Sequence, residues 1–247
     1  MTALLSLLEA AVATHPREQY RNELLRRLSG ADLALIEPGL AALPLPLRKS
    51  LQRRGSVIAD VYFVETGIVS VVALGAKRAK PVEAGLIGRE GMTGIELILA
   101  DNRSQQDVYI QVAGSGHHIK AADLQRATEE SESLRRLFLR FAGGFLTQVT
   151  ETALANGSAT IDRRLSRWLL MAQDRLDDAA LPLTHEFLGL MLGVRRSGVT
   201  VAIQELAHDG LVESRRGRVV IVDRAGLIER AGDIYGRSHA EQQRLLD

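Results

Sequence analysis

The chain has 247 residues, of which 46% are apolar and 25% charged, as in a globular protein with core enough for one large or two ordinary domains. A net charge of +1 excludes a broadly polycationic nucleic-acid coat. The lack of cysteine excludes disulfides, thiolate zinc sites, cysteine nucleophiles and cysteine-ligated iron–sulfur clusters. No apolar run approaches the roughly 20 residues that span a bilayer, and the apolar residues 1–13 contain Glu9 and lack a basic leader, so a short packing helix or a mobile N-terminus of a cytoplasmic protein is expected there.

Residues 16–28 form an amphipathic helical pattern with Tyr20, Leu24, Leu25 and Leu28 on one side, broken by Ser29-Gly30. Its arginines alternate with Glu18 and Glu23, the pattern of a solvated face. Residues 31–36 extend the helical signal, and Pro44-Leu45-Pro46 begins extended structure. Strand signals follow. Residues 57–64 are β-branched and aromatic, Gly67 turns the chain into residues 68–72, and residues 108–112 form a strand ended by Gly114-Ser115-Gly116. Short strands with glycine at the corners predict an antiparallel roll. Between them, the glycine-rich segment 85–94 is a candidate ligand cradle, because glycines let backbone N–H groups converge on an anion, or else its glycines only shape the turns of the roll. His117 and His118 are adjacent in extended chain, point to opposite faces and cannot share one metal; no metal cluster is expected.

Residues 133–156 carry the longest helical pattern, with Leu134, Phe138, Phe141, Phe145 and Val149 as an aromatic seam that suits a monomer's core helix or, better after a β-roll, pairing with a second copy across a two-fold axis. Gly143-Gly144 in its middle permits close helix contact or a kink. Asn156-Gly157-Ser158 is the expected hinge. The next helix, residues 160–176, buries Ile161, Leu165, Trp168, Leu169 and Ala172.

Residues 184–222 are the most informative stretch. Thr184 is an N-cap for a short helix with Leu188, Met191 and Leu192 on one face, and Gly193 suits the left-handed position that ends it. A second helix from about Arg195 buries Val199, Ala202, Ile203 and Leu206. Asp209-Gly210 stops it, and a hairpin with the basic tip Arg215-Arg216-Gly217-Arg218 follows. Helix, turn, helix and wing in this order form a winged helix-turn-helix, whose second helix enters a major groove by its N-terminal end. Five arginines face four acids here, so the reading rests on placement rather than bulk charge. Asp223 caps a last helix, and a polar tail runs to Asp247.

LTHEFLGLMLGVRRSGVTVAIQELAHDGLV with RGRVVIVDRAGL, and upstream VYFVETGIVSVV with GLIGREGM, resemble the Crp/Fnr family of bacterial transcription regulators. The resemblance implies an α+β chain: a jelly-roll-like antiparallel β-roll sensor over 1–125, a dimerisation helix and hinge over 126–157, and a winged helix-turn-helix over 158–247. It implies a homodimer that reads a palindromic operator in double-stranded DNA, with RNA polymerase as a further partner, no membrane association and no catalytic residues. Arg196 would read bases with Ser197, Thr200 and Val201, while Thr184, His185, Arg195, Arg215, Arg216 and Arg218 would approach the backbone. Ser197 and Val201 depart from the acidic residue and the arginine of the best-known members, so the operator differs. Gly88, Glu90 and Gly91 with Arg103 and Ser104 correspond to a cyclic-nucleotide clamp. Aligned on VYIQV, however, the Arg-Ser position falls on Gln106-Asp107, and an aspartate repels a phosphate diester, which argues against cAMP or cGMP. The alternative is a β-roll sensor that acts mainly through a protein partner.

Overall fold

The computed structural model describes residues 19–75, 81–176 and 178–246; the expected helix at residues 1–13 and the start of the one at Pro16 lie outside them. Helix α1 (Glu23–Arg27) begins at Asn22, whose side chain accepts from the N–H groups of Leu24 and Leu25. The same buried amide donates to the carbonyls of Val64 and Gly91, joining the entry helix to the roll behind it. Helix α2 (Gly30–Ile36) is capped by Ser29.

The roll comprises β1 (Ala41–Leu45), β2 (Ser50–Gln52), β3 (Asp60–Ala73), β4 (Val82–Ile87), a short helix α3 (Ile95–Ile98) and β5 (Asp107–Lys120). All pairings are antiparallel in the order β1-β5-β3-β4, and β2 also pairs with β5. Two expected strand ends are corrected. Gly67 does not turn the chain: β3 runs through it as one 14-residue strand, with an irregular register around Thr66 and Ile68. Gly67 holds a φ of 87°, and a side chain there would strike the backbone of Val112 and Ala113, so the glycine makes a bulge rather than a corner. Likewise β5 continues through Gly114-Ser115-Gly116, because Gly114 and Gly116 lie flat against the backbone of Thr66 and Phe63.

Helices α4 (Ala121–Glu130) and α5 (Glu132–Ser158) follow, and α5 is a continuous 27 residues. Its faces are assigned differently from the expectation. Leu134, Phe138 and Phe141 are buried in the chain's own core, with Phe63, Met92 and Leu124, and Phe145 packs on the roll interior. The apolar surface of Leu134, Phe138 and Phe141 is already withdrawn from water within one chain, so these three cannot form a seam with a second copy, while Phe145 and Val149 are half-buried. The exposed stripe is instead Leu139, Leu146 and Leu154. Asn156-Gly157-Ser158 is helical, and the break comes one residue later, in the extended backbone of Ala159 and Thr160.

Helix α6 (Ile161–Arg175) starts the C-terminal half. It is followed by β6 (Ala180–Leu181), α7 (His185–Met191), α8 (Arg196–His208), β7 (Val212–Arg215), β8 (Arg218–Ile221) and α9 (Arg224–Ala231). The residues expected as a polar tail form α10 (Arg237–Leu246), which returns to lie along α5. Gln242 donates to the carbonyl of Glu90, and Leu246 joins the core under the roll. The close contact foreseen at Gly143-Gly144 is therefore made with α10: a Cβ on Gly144 would lie 3.3 Å from Cα of Gln242, and one on Gly143 3.7 Å from the Leu245 side chain. Replacing Gly144 by Leu should push α10 off and speed proteolysis within residues 237–246, whereas Gly143→Ala should leave the cleavage rate unchanged; limited proteolysis of the two variants measures this.

Candidate nucleic-acid interface

Thr184 Oγ1 accepts from the N–H of Phe187 and fixes the start of α7. Gly193, at φ 66°, ends the turn after it. Arg195 stands at the N-cap of α8 with no side chain bonded to the first N–H groups. Val199, Ala202, Ile203 and Leu206 are buried against α6 and α7, which turns Arg196, Ser197 and Val201 outward. The wing closes through Arg216-Gly217, with Gly217 at φ 74° and Arg215 paired with Arg218. β6 adds a third strand to it.

The expected contact residues do not all share one environment. Among the described residues, Arg195, Arg196, Arg216 and Arg218 have no ion-pair partner, and all four are exposed. Arg215 differs, because its guanidinium is held by Glu213 at 2.6 Å. His185 is half-buried between helix and wing: Nδ1 lies 3.1 Å from Thr200 Oγ1 and Nε2 3.3 Å from Ser214 Oγ. His185 thus holds the wing beside α8, and Thr200 is shared between that histidine and the carbonyl of Arg196. Arg195 and Arg196 also line a cleft of about 1010 Å³ whose opposite wall, with Arg48, Arg53 and Tyr109, belongs to the roll.

Beneath this surface the two halves share one core. Ile68 and Leu86 of the roll pack with Trp168, Met191 and Leu192. Glu83 on β4 sits at the seam, 5% exposed, and accepts from Trp168 Nε1 at 2.5 Å and from Ser70 Oγ at 2.5 Å. Burial pushes its carboxyl up to about 7, against the pull of those two hydrogen bonds and of Arg175 and Arg167. Arg167 is buried as well and donates to the carbonyl of Ile234; burial pulls it down to about 10. Trp168 was expected in the core. Nothing in the sequence marked Glu83, a single carboxylate in the strand VEAGLI, because its partner lies 85 residues away.

The expected ligand cradle is corrected: the chain itself fills it. Arg175 Nη2 meets Glu90 Oε1 at 2.7 Å, the N–H of Gly88 donates to Glu90, and the Phe141 ring lies where a side chain on Gly91 would be. Arg103 and Ser104 have other partners: Arg103 donates to the carbonyl of Gly55, and Ser104 to that of Gln106. The five residues do not form one clamp. His117 and His118 lie within β5, on Glu65 at 3.2 Å and Asp60 at 3.4 Å respectively.

The folded value of Glu83 lies above the ordinary 4.5, so the docked state binds its proton more tightly. The stabilisation is complete below that ordinary value and lost as pH rises through about 7, amounting to about 3 kcal/mol. Thermal denaturation across pH 5 to 8 should show this decline, and Glu83→Gln should flatten it.

Residues 163–230 match the family model of the Crp-like helix-turn-helix domain. No curated protein matches the chain. Among solved structures, the chain is similar to FixK2 from Bradyrhizobium japonicum (18% identity, TM-score 0.68, covering 78% of this chain and 98% of that one). It is also similar to a protein from Eubacterium rectale assigned to the Crp/Fnr family of transcriptional regulators (16%, 0.67, 85% and 97%). A third is the c-di-GMP-responsive global regulator CLP of Xanthomonas campestris (18%, 0.62, 78% and 99%). Identities this low establish a shared fold.

Proposed function

We propose that this chain, a Crp-like helix-turn-helix domain carried on the fold of the Crp/Fnr regulators, is a sequence-specific DNA-binding transcription regulator that works as a cytoplasmic homodimer. The observation that carries the reading is the set of four exposed, unpaired arginines among the described residues: Arg195 and Arg196 at the open start of α8, and Arg216 and Arg218 on the wing. A guanidinium at the N-terminal end of a groove-reading helix can pair with guanine O6 and N7, and wing arginines suit flanking phosphates. Arg196, with Ser197 and Val201 beside it, supplies sequence choice; Arg195, Arg216 and Arg218 supply phosphate contacts. Thr184 caps α7 at the backbone-facing edge. His185 and Thr200 have partners within the chain and act by holding the wing and helix in register, while Arg215 is tied to Glu213 on its own wing strand.

The dimer contact is assigned to the exposed face of α5. Leu139, Leu146 and Ala153 recur every seven residues, with Gly143, Thr150 and Gly157 between them at the same interval. That is the period of a two-helix seam, and Leu146 is 65% exposed in the single chain. Two modules related by such an axis would meet half-sites about 34 Å apart. Leu146→Glu should convert the dimer to a monomer in sedimentation velocity, whereas Phe138→Leu, inside the core, should lower stability and leave the oligomer intact.

Selection of bound sequences from a random duplex library should yield a two-fold symmetric site. On that site Arg196→Ala should cost about 1–3 kcal/mol and relax one base position, with little loss on random DNA. Arg216→Ala should weaken both and lower the salt slope by about one. An equal loss on both duplexes for Arg196→Ala would refute base reading by that residue.

A further inference from the structure

We propose that the cavity between the roll and α5 binds an uncharged, largely apolar small molecule that carries one hydrogen-bond-accepting oxygen. This gives the sensory half of the regulator a ligand class, and it rests on the regulatory reading for its consequence rather than for the binding itself. The cavity holds about 410 Å³, within the range of small-molecule pockets. Its walls are mostly hydrocarbon: Val71, Ile87 and Val108 from the strands, Leu99 after α3, and Leu139 and Phe145 from α5.

Few polar groups reach it, and most are already engaged. Thr93 Oγ1 accepts from the N–H of Tyr62, and Glu96 Oε1 lies within hydrogen-bond reach of Ser104 Oγ and the N–H of Gln105. Gln106 is half-exposed to water, and Gln52 is the buried exception. It is 6% exposed, lines the cavity, and its Nε2 is buried with no hydrogen-bond partner among the described residues. That nitrogen lies 3.5 Å from where a Cβ on Gly94, another lining residue, would stand. A buried N–H group without an acceptor is costly, and a ligand oxygen placed there removes the cost.

Charge selects the rest. Among the described lining residues there is no lysine, arginine or histidine, and the only ionisable group is Glu96. An anion would meet a carboxylate and apolar walls with no counter-charge. Arg103, the basic residue of the expected clamp, turns its guanidinium to the carbonyl of Gly55. Phosphate-bearing ligands and carboxylates are therefore disfavoured, and neutral ones are not. Leu139 and Leu146 line the cavity and also stand on the exposed α5 stripe, so an occupant touches the helix face assigned to dimer contact.

The test uses the full chain and Nile red, a neutral dye that brightens in apolar surroundings. Dye binding should saturate at one per chain and be displaced by decan-1-ol, but not by decanoate or cAMP at equal concentration. Val149→Trp should crowd the cavity and weaken dye binding with the circular dichroism spectrum retained. Gln52→Leu, of similar size, should keep dye binding while weakening decan-1-ol about tenfold, the loss of one hydrogen bond. Displacement by decanoate or cAMP as strong as by the alcohol, or unsaturable binding, overturns the proposal. So does an unchanged alcohol affinity in Gln52→Leu. The readout does not involve DNA: a chain that binds dye but no duplex refutes the regulator alone, and one that binds its duplex but no dye refutes the ligand class alone.

Discussion

Helix α5 constrains everything around it, because each of its faces is committed to a different neighbour. One face sinks Leu134, Phe138 and Phe141 into the core beneath the roll, with burial contributing about 1.5–3 kcal/mol for each large side chain. A second receives α10 at Gly144, where the absence of a side chain lets the two backbones approach. A third walls the cavity with Leu139, Phe145 and Leu146. Leu139 and Leu146 on the rim of that face also belong to the exposed stripe at seven-residue spacing. A helix with this division of labour can pass a change in the roll to its other contacts by small shifts, since packed interfaces resist gradual deformation.

The second constraint lies where β4 meets α6. Glu83 between Trp168 and Ser70 places a carboxyl in an apolar seam that otherwise belongs to a shared core. Buried polar groups of this kind are tolerated only while their partners stay in place. The junction is thus held by hydrophobic contact and oriented by hydrogen bonds, and the recognition surface above it inherits that orientation. The cleft between Arg195–Arg196 and the roll wall shows that α8 and the roll face one another in this arrangement. Movement at the extended pair Ala159–Thr160, the break between α5 and α6, is the local freedom the backbone offers for separating them.

The glycine-rich loop of the roll carries a different lesson. Gly88, Glu90 and Gly91 have the composition of an anion cradle, yet Arg175 and Phe141 occupy the space those glycines open. The same absence of side chains that admits a phosphate also admits a guanidinium stem or a ring from the chain's own helices. Composition cannot separate these uses, because both need only room. The empty volume lies instead beside Gln52, a residue with no motif around it.

Local chemistry was legible from the sequence where a residue acts within one turn of itself. Thr184 caps α7, Gly193 takes its left-handed turn, the stripe Val199–Ala202–Ile203–Leu206 is buried, and Gly217 closes the wing, each through short-range sterics and hydrogen bonds. Strand ends were less legible: Gly67 and Gly114 read as corners, but cross-strand contact made them points of close approach within continuous strands. The faces of α5 were not legible at all. Leu134-Phe138-Phe141 and Leu139-Leu146 are both apolar stripes at helical spacing, and only the positions of the roll and α10 decide which is covered. By itself, then, the sequence determined the order of roll, long helix and winged module and the local build of the helix-turn-helix, because these follow from neighbours along the chain. The tertiary structure alone decided the buried pairings of Glu83 with Trp168 and of Glu90 with Arg175, the seat of α10 and the open cavity, because each joins groups that are distant in sequence and meet only after the core has formed.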